Sequence, residues 1–273
     1  MDILKISDFF LSKKNAFAIY VEDKQKIDDV HGHEFDELVI IKDGCGFHVV
    51  NGEIAFINKG DFFFVTKNDV HSYKATYDFT IINILLNSGE TPVFVKNIQD
   101  LLLSLHSKKS EPDERNTLTE SELNNVSDLV DFFCRNNEIP EKVYCAMSDA
   151  YFLNILAILT HCVKKREDSE RSKAQEIIDF LKMNFLSKIN WEELCSRVGV
   201  TRRTMHRLLK KRTGLTPDKL ILVLKTFKAQ ELLITTDLPI HEIANQCGFS
   251  SAARLSGVYK NILRKTPTQE RCS

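Results

Sequence analysis

No stretch of this sequence approaches the ~20 consecutive apolar residues of a membrane-spanning helix, so no membrane partner is expected. No CxxC pair occurs. The seven Cys are odd in number and scattered, which excludes a disulfide framework or a zinc ribbon; they read as small, buried, reduced hydrophobes. The start, Met1-Asp2-Ile3-Leu4-Lys5, lacks the basic residues and apolar run of a signal peptide, and the expected compartment is the bacterial cytoplasm. Trp is nearly absent, but eighteen Phe and 43% apolar residues can fill packed cores. The 273 residues allow two domains of ordinary size. Net charge is almost absent too, at −1, yet it is unevenly spread. Residues 171–273 hold 19 Lys and Arg against 9 Asp and Glu, a surplus of +10, and the rest of the chain carries −11. That asymmetry suits a module that binds a polyanion joined to a module that binds something else.

Residues 1 to about 87 read as β structure. Leu38-Val39-Ile40-Ile41, Phe62-Phe63-Phe64-Val65 and Ile81 to Leu86 are short apolar runs. Asp43-Gly44, Asn51-Gly52 and Lys59-Gly60-Asp61 sit between such runs as turns, Asn51-Gly52 being the strongest hairpin signal. Short strands at this spacing predict a small sandwich or barrel. From about 93 to 166 the period becomes helical, with Leu123, Val126, Val130 and Phe133 on one face and Phe152, Ile155, Leu156 and Leu159 on another. Arg135 to Pro140 reads as a helix stop between them. These helices could cover the β domain or pair with a second subunit. Lys164 to Glu170 is polar, a linker or a solvated helix end.

Residues 171–273 read as almost wholly helical, at about 171–187, 191–198, 202–213, 217–235, 239–247, 251–263 and 267–271. Asn190 with Glu193 forms a capping-box pattern, and Thr201 and Ser250 can cap the helices that follow. Thr216-Pro217 and Thr266-Pro267 place a cap before a Pro at the first helical position. A helix-turn-helix needs a small residue where its helices cross and a Gly in its turn. Cys195 and Gly199 supply these, and Met205 and Leu208 then face inward. Thr201, Arg202, Arg203, His206, Arg207 and Lys210 stay outside, on a helix that can lie in a major groove. Ala244 and Gly248 repeat the spacing 49 residues later, with Leu255, Val258 and Tyr259 inward and Ser251, Ala252, Arg254 and Ser256 outward. Leu220 to Leu233 is the spacer.

These features resemble the AraC/XylS family of regulators, on about 100 residues that include Lys225…Ala229…Leu232-Leu233, Ile243-Ala244…Gly248-Phe249-Ser250 and Thr266-Pro267…Arg271. The resemblance implies two helix-turn-helix units, about 191–213 and 239–264, reading successive major-groove segments. It places Arg203, His206 and Arg207 at base-contact positions; Lys210, Lys211 and Arg212 suit phosphates better. Ser250, Ser251, Ala252, Arg254 and Ser256 are the second unit's candidates. Two departures stand out: Gly257 where a polar contact is usual, and Arg264 where Gly is usual near the helix end. Base readout is therefore expected mainly from the first unit.

His31-x-His33-x3-Glu37-x6-Gly44, followed by His71, resembles the cupin motif, with Thr66 and Asn68 standing where Pro and Gly are usual. Alternate residues of a strand share a face, so His31 and His33 would point together. Three readings of this cluster stay open. His31, His33, Glu37, His71 and Tyr73 could bind an effector without a metal. His31, His33, Glu37 and His71 could instead hold a divalent transition metal. The His could also merely cap turns or lie exposed. The motifs Asp8-Phe9-Phe10, Gly46-x-His48-Val49-x-Asn51, His71-Ser72-Tyr73 and Arg203-Thr204-x-His206-Arg207 resemble, more narrowly, the L-rhamnose-responsive activators of the family, which implies a sugar effector.

The expected fold is α+β: an N-terminal cupin-like β barrel (1–92), a helical linker and dimerisation segment (93–166), and a C-terminal all-α DNA-binding domain (167–273) with two helix-turn-helix units. The expected protein is a regulator, not an enzyme, and an activator of sugar catabolism genes. Promoter DNA, a small-molecule effector, RNA polymerase and a second copy of the chain are its expected partners; no cofactor is expected beyond a possible divalent metal. A cupin domain that senses metal or only dimerises is the alternative, and a metal-dependent cupin enzyme would leave the basic helical tail unexplained.

Overall fold

The computed structural model describes residues 2–10, 15–23, 30–87, 89–90, 102, 116–135, 140–164 and 169–271. It divides into two compact units, Met1–Tyr73 with Asp78–Arg166, and Lys74–Tyr77 with Glu167–Ser273. The expected boundary at 92/93, most of the expected helix stop and Lys165–Asp168 of the expected linker lie outside the described residues.

In the first unit the elements are β1 (Asp2–Leu4), α1 (Ile6–Phe9), β2 (Phe17–Asp23), β3 (His31–His33), β4 (Asp36–Val50), β5 (Glu53–Asn58), β6 (Asp61–Val65), β7 (His71–Leu86), β8 (Asn116–Thr117), α2 (Glu120–Arg135) and α3 (Glu141–Lys164). One curled, cupin-like sheet runs β1-β3-β7-β4-β6-β8, with β2 also on β7 and β5 also on β4. It curls because its long strands change partners along their length. The first half of β4 (Glu37–Ile40) pairs with β6, and the second half (Cys45–Val50) with β5. β7 meets β3 at His71 and β2 from Thr80 to Leu86.

Asp43-Gly44, expected as a turn between strands, instead lies inside β4. Gly44 takes a positive φ of 78° there, so the strand bends without ending, because different partners hold its two halves. Asn51-Gly52 is the expected hairpin: Val50 pairs with Glu53 across it, and both turn residues have positive φ.

Strand alternation sorts the side chains onto the two faces of the sheet. Phe17, Ile19, Leu38, Ile40, Phe62, Phe64, Ile82 and Ile84 pack with Leu123, Val126, Val130 and Phe133 of α2 and Phe152, Ile155, Leu156 and Leu159 of α3. The helices thus use the apolar faces read from the sequence to cover the sheet. Phe152 stacks on Phe17 with ring centroids 4.1 Å apart. The opposite parity, Val39, Ile41, Val65, Tyr73, Phe79 and Ile81, fills the inside of the curl.

The second unit is helical: α4 (Ser169–Asn184), α5 (Trp191–Val198), α6 (Arg202–Thr213), α7 (Pro217–Thr235), α8 (Ile240–Gln246), α9 (Ala252–Leu263) and α10 (Pro267–Arg271). The caps explain the boundaries. Asn190 accepts from the Glu192 and Glu193 N–H groups, Thr201 from Thr204 and Thr216 from Lys219. Thr266 and Gln269 cap each other reciprocally. α4 stops three residues short of the expected end, where the Asn184 side chain turns back to donate to the Phe180 carbonyl.

The cap of α9 is Ser251, which accepts from the Arg254 N–H; Ser250, the expected cap, lies one residue before it. The reason is a longer second turn. Val200 donates to the Cys195 carbonyl, and Phe249 donates equivalently to Ala244. The first unit's cap follows at once, whereas the second unit inserts Ser250 before its cap. Equivalent residues are therefore 49 apart up to the turn and 50 apart after it.

Candidate nucleic-acid interface and effector pocket

Each helix-turn-helix is locked from inside. Cys195 packs on the fully buried Met205, Sγ to Sδ 3.8 Å, and Ala244 is buried beside Leu255 and Val258 in the second unit's core. α6 has no acidic residue, and its outer surface carries Arg202, Arg203, Arg207, Lys210 and Lys211, all exposed, with Thr201 at its start and a half-buried His206. The Arg202 guanidinium stands 5.7 Å from the Trp191 ring centroid, so this arginine leans on α5. On the second unit Ser250, Ser251 and Arg254 are exposed, and Ala252 and Ser256 are half-buried.

With the 50-residue offset, Arg203, His206 and Arg207 correspond to Ala253, Ser256 and Gly257. The two units therefore offer the same scaffold and unlike chemistry. One surface can form bidentate, cationic contacts with base edges and phosphates; the other has only Arg254 and small residues over the same stretch.

The N-terminal constellation collects inside the curled sheet. β3, β4 and β7 carry His31, His33, Glu37, His71 and Tyr73, each at most 5% exposed. The loop before β7 fixes its start. Asp69 accepts from the N–H and hydroxyl of Thr66, and the Asn51 side chain donates to Asp69 and accepts from the Val70 N–H. A carboxylate-held turn thus stands where the motif usually has Pro and Gly. His48 Nε2 lies 2.9 Å from His71 Nδ1, and the His48 ring stacks on Phe63 and Tyr73. The His33 Nδ1–H donates to the Phe35 carbonyl, which leaves the Nε2 lone pair buried and unpartnered. His71 Nε2, the Tyr73 hydroxyl and Asn83 Oδ1 are also buried without a hydrogen-bond partner.

Charge is scarce here. Burial, reinforced by Glu22, pushes the Glu37 carboxyl up to about 8, so it is mostly protonated at neutral pH. Burial lowers His48 to about 3; burial and the neighbouring His residues lower His71 to about 2. Burial lowers His33 too and raises Tyr73 well above the usual phenol range.

The structure sorts the expected residues into two overlapping sets. A cavity of about 80 Å³ is walled by His31, Glu37, His71, Tyr73, Asn83 and Glu22, with Leu4, Phe9, Tyr20 and Leu85 as its apolar side. His33 does not line it. Among the described residues, the group whose potential ligand atoms lie within 4.8 Å of one another is His33, Glu37 and His71. His31, expected as a fourth ligand, falls outside that group; its ring packs against His71 with centroids 4.4 Å apart. His48, Asn83 and Glu22 were not among the expected site residues. His48 is hidden from strand periodicity because the bend at Gly44 shifts the inward parity from odd (Glu37, Val39, Ile41) to even.

Fold and sites together fit a regulator: a helical unit with two helix-turn-helix motifs, joined to a curled β unit with a small pocket of mixed lining. Family models agree. One, described as an AraC-like ligand binding domain, matches residues 17–122, and one described as a helix-turn-helix domain matches residues 194–272. The HTH-type transcriptional activator RhaS of Mannheimia succiniciproducens is 30% identical, over 97% of this chain and 97% of its own. The RhaS activator of an Enterobacter species is 29% identical, over 99% and 97%. The crystal structure of an AraC-type transcriptional regulator from Chromobacterium violaceum is 33% identical over 37% of this chain and 91% of that one, with a TM-score of 0.36. The chain belongs to the AraC family of DNA-binding transcriptional activators. No helix among the described residues is long and apolar enough to cross a membrane.

Proposed function

We propose that this activator responds to a small neutral sugar, L-rhamnose or a close relative, bound in the β unit and read out as a change in promoter binding by the helical unit. The observation that carries the reading is the pocket wall. Among the described residues it includes no Lys or Arg; the Tyr73 hydroxyl and Asn83 Oδ1 have no hydrogen-bond partner, His71 Nε2 has only Glu37 Oε2 at 3.7 Å, and Leu4, Phe9, Tyr20 and Leu85 add apolar surface. A polyhydroxylated ring with an apolar face satisfies such a wall, whereas a phosphate or carboxylate would meet Glu22 and, among the described residues, no Lys or Arg. At about 80 Å³ the cavity is small, so a pyranose would enter with movement of wall side chains. A sugar that binds one domain arrangement better than another shifts the population toward it. Arg203, His206 and Arg207 are the proposed base readers, Lys210 and Lys211 the proposed phosphate contacts, with Thr201, Arg202, Ser250, Ser251, Ala252, Arg254 and Ser256 at the edges of the interface. A second copy of the chain and RNA polymerase are its proposed partners at the promoter.

The test is a thermal-shift screen of neutral sugars, including L-rhamnose, against sugar phosphates and sugar acids, since a bound ligand raises stability by linkage. Stabilisation by a neutral sugar, lost in His31→Ala and Tyr73→Phe, is the expected result. Stabilisation only by anionic sugars would sink the reading.

A second reading rests on the convergence of His33, Glu37 and His71, whose donor set of two imidazoles and a carboxylate suits a divalent transition metal. The unpartnered His33 Nε2 lone pair fits that role. The two readings separate on the residues they do not share. Stoichiometric metal in the purified protein, lost in His33→Ala and kept in His31→Ala, supports the metal; no bound metal after growth with zinc, cobalt and nickel excludes it.

A further inference from the structure

The same turn occurs twice with different surroundings. Gly199 and Gly248 both hold a φ of +67°. A β-carbon at Gly199 would meet nothing within 4 Å. One at Gly248 would lie 2.8 Å from Lys225 Nζ and 3.6 Å from the Leu186 carbonyl oxygen. Gly199 is thus needed for its backbone conformation alone, and Gly248 also for the space that an ammonium group occupies. Lys225 extends from the spacer α7, donates to the Gly248 carbonyl at 2.9 Å, and stands 6.0 Å from the Phe249 ring centroid. Leu186 follows α4, in the first half of the helical unit. Three segments therefore meet around Gly248: the chain after α4, the spacer with its Lys225, and the turn of the second helix-turn-helix.

We propose that Lys225 is a positioning residue that clamps the turn of the second helix-turn-helix unit to the spacer helix and so sets the separation of the two recognition helices along DNA. The inference rests on both units engaging DNA. A charged donor suits the task because a charge-assisted hydrogen bond is stronger than a neutral one, and Gly248 has no side chain to keep it away. At Gly199 no side chain stands where Lys225 Nζ stands beside Gly248. The first unit's turn is held by its own helices, and the spacer can carry the second unit relative to it as a fixed arm.

The test uses the full-length protein and a duplex selected by it from a random pool, footprinted to locate both half-sites. Three duplexes are compared: the selected one, one with the second half-site scrambled, and one with a single base pair inserted between the halves. Lys225→Met should weaken binding to the selected duplex about tenfold. It should leave the scrambled duplex unchanged and reduce the penalty for the insertion. Lys225→Arg should restore much of the loss. Unchanged binding to all three duplexes by Lys225→Met overturns the proposal. Equal weakening on all of them, with a salt slope smaller by about 0.9, overturns it in favour of a phosphate contact. Should Lys225→Met lower the thermal midpoint, Lys225→Gln, which removes the charge and falls one atom short of the Gly248 carbonyl, carries the same comparison. A wild-type footprint over one half-site alone overturns the two-unit reading, and the clamp with it.

Discussion

The two helix-turn-helix units are built alike and dressed differently. Inside, Cys195 and Ala244 occupy the crossing point, Gly199 and Gly248 the turn, and Met205 and Leu255 the floor of the recognition helix. Outside, Arg203, His206 and Arg207 of the first unit give way to Ala253, Ser256 and Gly257. Packing sets the inner residues, because a small residue and a left-handed turn are required wherever two helices cross this closely. The outer ones differ in charge and size while the inner ones match, so a difference in DNA reading between the units would fall to them. The C-caps show the same split: α6 ends on Gly214 and α9 on Arg264, both left-handed, with N–H groups bonded to the Lys210 and Lys260 carbonyls.

If the scaffolds are equivalent, breaking either should cost the same. Met205→Ala and Leu255→Ala each remove a fully buried side chain and should destabilise the helical unit by about 2–5 kcal/mol in urea unfolding. A large loss from one and none from the other would break the equivalence. A smaller effect tests the unequal caps. Arg264 holds a φ of 61°, costly for any residue with a β-carbon. Arg264→Gly should therefore stabilise by about 0.5–1 kcal/mol, whereas Gly214→Arg should destabilise by about 1–2 kcal/mol. Gly257→Ala should stabilise by about 0.5–1 kcal/mol, since the added β-carbon meets nothing within 4 Å in mid-helix. It should do so without weakening DNA binding; a loss of affinity would show that the second unit's backbone approaches DNA closely there. The smallest expected effect is at the exposed, equivalent Lys210 and Lys260, where each change to Ala should reduce the slope of log affinity against log salt by about 0.9.

Much of this was legible in the sequence, for physical reasons that also mark where legibility ended. Helix caps are local, so Asn190, Thr201, Thr216 and Thr266 cap the helices that the sequence predicts for them. The small-x3-Gly pattern is local too, and its recurrence located both units. Ser250 was misplaced because a one-residue insertion after an otherwise identical turn leaves no mark on periodicity. Asp43-Gly44 read as a chain reversal, but whether such a pair ends a strand or bends it depends on which strands lie alongside. That same bend concealed His48. The convergence of His31, His33, Glu37 and His71 was readable as a motif. Its division into a cavity wall containing His31 and a candidate ligand group containing His33 was not, because that depends on ring packing between β3 and β7.

The most direct test of the asymmetry is the base preference of the wild-type protein and of Arg203→Ala, Arg207→Ala and Arg254→Ala, measured on a randomised operator at one salt concentration. Arg203→Ala and Arg207→Ala should each lose about 1–3 kcal/mol of discrimination at positions in the first half-site, and Arg254→Ala clearly less in the second. Equal losses from all three would contradict the account.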